Sequence, residues 1–89
     1  MAEKNPKKND DFQIEEIDGE ALLYSPKATR SIYLNPSASI IWQLCTGEHS
    51  VSDITAFLQA QFPDAGAQVA QDVQSTIDQF LENEAITLV

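Results

Sequence analysis

The chain of 89 residues has one cysteine, one histidine, three glycines and no lysine or arginine after Arg30. Each scarcity removes a class of function. Cys45 alone cannot form an intrachain disulfide, and its place at the end of the run Ile40 to Cys45 suits a small buried hydrophobe in a reducing compartment. Nucleophilic catalysis would need a thiol or hydroxyl held by a base. His49, in a loop, and Cys45, inside an apolar helix, read instead as a surface residue and a core residue, so no enzyme is expected. His49 has no second histidine or exposed cysteine to share a metal with. Gly19, Gly47 and Gly66 stand apart, which excludes a glycine-rich phosphate loop, and no cofactor is expected.

Charge is equally one-sided. The formal net charge is −9, and residues 31–89 carry acidic side chains only. Binding to duplex nucleic acid depends on Lys and Arg that displace counterions from phosphates, so this distribution argues strongly against a DNA-binding surface. A basic or apolar peptide is the easier partner. The apolar runs are too short for a signal peptide or a membrane span, so the expectation is a cytoplasmic protein with no membrane contact.

The pattern that is present describes one small α+β domain. Residues 1–11, MAEKNPKKNDD, are polar and without periodicity, and are expected to form a disordered tail, leaving residues 12–89 as the domain. Phe12 to Tyr24 reads as a hairpin turning at Asp18-Gly19, a dipeptide suited to positive φ. The parity of Phe12 and Ile14 is not kept at Ile17, which points to a bulge near the turn. Glu15 and Glu16 fall on opposite strand faces and suit a solvated surface better than acid–base chemistry. Ser31 to Leu34 is a third strand, with Ile32 and Leu34 on one face and Tyr33 on the other. Asn35 then caps a helix with Pro36 at its first position, running to about Thr46 and ending at Gly47.

Ala38, Ile41, Trp42 and Cys45, widened by Ile40 and Leu44, form that helix's apolar stripe. Ser50 with Asp53 resembles a capping box and opens a second helix, whose Val51, Ile54, Phe57, Leu58 and Phe62 share one side. A third helix runs from about Ala67 to Asn83, with Val69, Val73, Ile77, Phe80 and Leu81 as its stripe. A short apolar end, Ile86 to Val89, follows. Three strands and three helices are the result.

With catalysis and nucleic acid removed, binding remains. A meander ends in edge strands whose unpaired N–H and C=O groups accept an added strand. If the third helix lies beside the third strand, Val69, Asp72, Val73 and Thr76 wall a groove; on periodicity alone the valines read more readily as core.

The order GEALLYSPKATRSIYLNPSASIIWQLCTGEHSVSDITAFLQAQFP followed by VAQDVQSTIDQFLENEAI resembles the coenzyme PQQ synthesis protein D (PqqD-like) family. These are recognition elements of ribosomally synthesised, post-translationally modified peptides (RiPPs). The resemblance spans Gly19 to Leu88 and rests on Leu34-Asn35-Pro36, on Ile41 to Leu44 leading to Gly47, on Val51 to Ile54, and on Asp72-Val73. It implies a winged-helix-like fold, a three-stranded antiparallel sheet followed by three helices. It also implies a peptide chaperone that holds the leader of a precursor peptide as an added strand. By position, Ser31, Ile32, Tyr33 and Leu34 would supply the edge, and Val69, Asp72, Val73 and Thr76 the side wall. The implied partners are the precursor leader and a modifying enzyme, often a radical S-adenosylmethionine (SAM) protein; exposed strand edges permit a monomer or weak dimer. Relatives often place basic side chains on the third helix, where this chain has none. Two other readings stay open: a protein-docking domain without leader specificity, and a winged-helix transcription module, for which no helix supplies the Arg or Lys a recognition helix needs.

Overall fold

A computed structural model describes residues 4–27 and 31–89. The element order is β1 (Pro6–Lys8), β2 (Gln13–Ile17), β3 (Glu20–Tyr24), β4 (Ser31–Leu34), α1 (Pro36–Leu44), α2 (Val51–Gln61), α3 (Ala67–Glu82) and β5 (Ile86–Leu88). It is an α+β fold: the antiparallel meander β2-β3-β4 precedes the three helices, as expected.

The hairpin forms where its turn chemistry places it. Asp18 and Gly19 both take positive φ, 53° and 80°. The two-residue turn holds an uninterrupted ladder from Ile17↔Glu20 to Gln13↔Tyr24, so the expected bulge is absent. With no bulge, Ile17 keeps the parity of Gln13 and faces away from the core, 49% exposed. Across the three strands, Ile14, Leu23 and Ile32 lie in one row and Ala21 pairs with Leu34 in the next. Ala21, Leu23, Ile32 and Leu34 from that face enter the core.

Caps fix the helix starts. Asn35 Oδ1 accepts the Ala38 N–H at 2.8 Å, with Pro36 at the first helical position. Ser50 and Asp53 form a complete capping box, each side chain accepting the other's backbone N–H at 3.1 Å. Each cap contributes about 1 kcal/mol. α3 ends with Ala85 N–H donating to the Phe80 carbonyl and Glu84 N–H to that of Leu81. This closure places Glu84 at a φ of 61°, a position that usually goes to glycine.

The core is built on α1. Ala38, Ile41, Trp42 and Cys45 are buried, and Trp42 meets Phe80 of α3 edge to face, centroids 5.6 Å apart. On α2 only Ile54 and Leu58 are buried. Phe57 and Phe62 sit on either flank of that narrow stripe, 45% and 40% exposed, and not in the core as their helical spacing had implied. At about 100° per residue, each is roughly 60° or more from the stripe's centre.

The opening segment corrects the expectation of a tail through residue 11. β1 pairs antiparallel with β5, and Pro6 is buried. On its other side, Lys8 N–H donates to the Cys45 carbonyl and Gly47 N–H to that of Pro6, both at 2.9 Å. Asn5 and Val89 exchange backbone hydrogen bonds at 2.7 and 2.8 Å. Lys8 Nζ lies 5.6 Å from the Trp42 ring centroid, a cation–π approach. All these partners are distant in sequence, so no local periodicity reveals them. The apolar end Ile86 to Val89 finds its use here, with Ile86 buried.

Candidate functional site

The site begins with an asymmetry in the meander. β3 is the central strand, and β2 and β4 are its edges. β2 reads QIEEI, is exposed along its length and carries Glu15 and Glu16, charges that discourage a further strand. β4 reads SIYL and carries no charge. Among the described residues no strand pairs with its outer side. In an antiparallel ladder, every second residue of such an edge turns its N–H and C=O outward.

α3 supplies the neighbouring wall. A depression of about 320 Å³ is lined by Asn35, Pro36 and Ser37, just past the end of β4, and by Phe62, Ala65, Val69 and Asp72. A second depression, lined by Asn9, Asp11, Phe12, Ser25, Lys27, Asn83 and Glu84, joins the other end of α3 to Ser25, next to the Tyr24↔Ser31 pair. The two depressions therefore lie near the two ends of β4, each with residues from one end of α3 or just beyond it.

The eight expected site residues separate into distinct roles. Ser31 and Tyr33 are exposed, and Ile32 and Leu34 are core side chains, so these last two have only backbone to offer an added strand. Tyr33 belongs to the sheet face opposite Ile32 and Leu34 and is 58% exposed, so its ring does not share a pocket with Val69 and Val73. Val73 is fully enclosed and is a core residue; Val69 is 6% exposed and reaches the rim of the depression. Asp72 is exposed on that rim and Thr76 is half-buried. Asp72 Oδ1 accepts a hydrogen bond from Gln68 Nε2 at 3.0 Å, one turn earlier on α3.

Phe62, Ala65 and Pro36 line the depression without having been singled out for it. The available signal was Phe62: a large aromatic at the end of α2, followed at once by Pro63 and off the centre of the buried stripe.

Cys45 is enclosed, and its Sγ contacts the Ile41 carbonyl at 3.1 Å. Burial pushes its thiol up to about 12, against a smaller opposing pull from Lys8. The thiol is therefore neutral and shielded, unlike an activated nucleophile.

The family model described as Coenzyme PQQ synthesis protein D (PqqD) matches residues 20–86. The chain belongs to the PqqD family. The match runs from the start of β3 to β5, covering β4, α3 and the residues that line the first depression, and leaves β1 and β2 outside. PqqD proteins are non-catalytic accessory proteins with a peptide-binding role in PQQ and RiPP biosynthesis. No curated protein and no solved structure matches the chain. No helix among the described residues is long and apolar enough to cross a membrane.

Proposed function

We propose that this domain is a peptide chaperone. It binds the leader of a ribosomally made precursor as a strand added to β4, beside α3, and presents it to a modifying enzyme of the radical SAM class. The observation that carries this reading is the pairing of an uncharged, unpartnered edge at Ser31 to Leu34 with an apolar depression walled by Val69 and Phe62. Backbone pairing gives affinity that tolerates leader sequence, and the depression selects a side chain. PqqD membership supports a peptide as the occupant.

The assignment of the valines is narrower than their spacing suggested. Val73 supports the groove from beneath, and Val69 with Phe62 meets the leader. Calorimetry of the domain with the leader encoded beside its gene tests the proposal: saturable one-to-one binding at or below tens of micromolar is expected, and its absence would overturn the reading.

A further inference from the structure

The depression at the end of β4 carries a formal charge that identifies its ligand more closely. Among the described residues that line it, Asp72 is the only charged one; the rest are Asn35, Pro36, Ser37, Phe62, Ala65 and Val69. The positive ends of two helices face the same space, and their free N–H groups are largely spent. Pro36 has no N–H, and the Ala38 N–H is taken by Asn35 Oδ1. At α3, Gln68 N–H donates to the Ala65 carbonyl and Val69 N–H to that of Gly66. An anionic ligand would find few donors here and would meet the Asp72 carboxylate.

The described cations lie elsewhere. Lys4, Lys7 and Lys8 belong to the opening segment, and Lys27, at the opposite end of β4, is 3.8 Å from Asp11. Arg30 also adjoins that opposite end in sequence and lies outside the described residues. With a formal net charge of −9, the field of the whole chain favours a cationic partner.

We infer that Asp72 is a specificity-determining residue, selecting leaders that place Lys or Arg two positions from a large aliphatic or aromatic side chain. This rests on the strand-addition reading above. In an added strand, residues i and i+2 share a face at roughly 7 Å spacing. One such side chain enters the apolar depression between Phe62 and Val69, while its neighbour on that face meets Asp72 at the rim. Gln68, bonded to Oδ1, holds the carboxylate in place.

The test uses a display library of random twelve-residue peptides panned against the wild-type chain and against Asp72→Asn, Asp72→Lys and Asp78→Lys. Asp78 is exposed, so Asp78→Lys alters net charge by the same amount as Asp72→Lys without touching the depression. The wild type and Asp78→Lys are expected to enrich Lys or Arg two positions from Leu, Ile or Phe, and Asp72→Lys to enrich Asp or Glu there. Fluorescence anisotropy of the strongest wild-type peptide should show about fivefold weaker binding to Asp72→Asn. Enrichment of peptides with no cationic preference, or equal effects of Asp72→Lys and Asp78→Lys, would overturn the inference and leave the groove standing. Enrichment of no peptide at all would overturn both.

Discussion

The two edges of the meander belong to one sheet and differ in nearly everything that governs strand addition. β2 has two glutamates and side chains exposed on both faces. β4 has no charge, alternates exposed with buried residues, and ends at a depression that Val69 and Asp72 of α3 help to line. A third short strand, β1, completes the comparison, since it has β5 on one side and the Cys45 to Gly47 segment on the other. Among the described residues the edges are thus charged, saturated or open, and the open one ends at an apolar depression. The difference teaches that an edge is a candidate site when its protection is missing and a neighbouring wall makes the gap specific.

The comparison can be broken most severely at α3. Val73→Asp buries an unpaired carboxylate in the enclosed core, at a cost of roughly 3–5 kcal/mol. The expected outcome is loss of the cooperative thermal transition by circular dichroism. Retention of a wild-type melt would mean that the Val73 side of α3 is an open surface.

A smaller effect sharpens the contrast between the edges. Replacing Glu15 by Val and Glu16 by Thr removes the protection of β2 while leaving the Asp18-Gly19 turn intact. Sedimentation should then show mass rising with concentration for the variant more than for the wild type. Equal behaviour would show that charge is not what distinguishes the edges.

The α1 end, where Lys8 of β1 bonds to the Cys45 carbonyl, adds a pH dependence whose size grows with alkalinity and is small near neutral pH. Its folded thiol is raised to about 12 from an ordinary value of 9.0. Between these values the unfolded chain has lost the proton and the folded one keeps it. Stability from this group is therefore intact below pH 9 and falls as pH rises toward 12, with a limiting slope of about 1.4 kcal/mol per pH unit. Urea titrations at several alkaline pH values should show this decline in the wild type and a shallower one in Cys45→Ala.

Much of this architecture was legible because its determinants are local. Asn35-Pro36, Ser50 with Asp53, and Asp18-Gly19 each specify a boundary within a few residues, and all three act as expected. The strand Ser31 to Leu34 announced itself by alternation and by its lack of charge. β1 did not, because Asn5 bonds to Val89 and Lys8 to Cys45, both far along the chain, and a polar segment held by distant backbone looks like a tail. The groove wall was ambiguous for another reason. Val69 and Val73 share one helical stripe, and periodicity cannot tell the residue at the rim from the one beneath it. Phe62 was taken for core because a helical stripe marks a side and does not give its width.

The most direct test of leader addition at β4 is amide hydrogen exchange with and without the leader. The account predicts that alternate amides within Ser31 to Leu34 gain protection on binding, while those of Gln13 to Ile17 do not change. Saturated binding that leaves β4 unprotected, or that protects β2 instead, would contradict it.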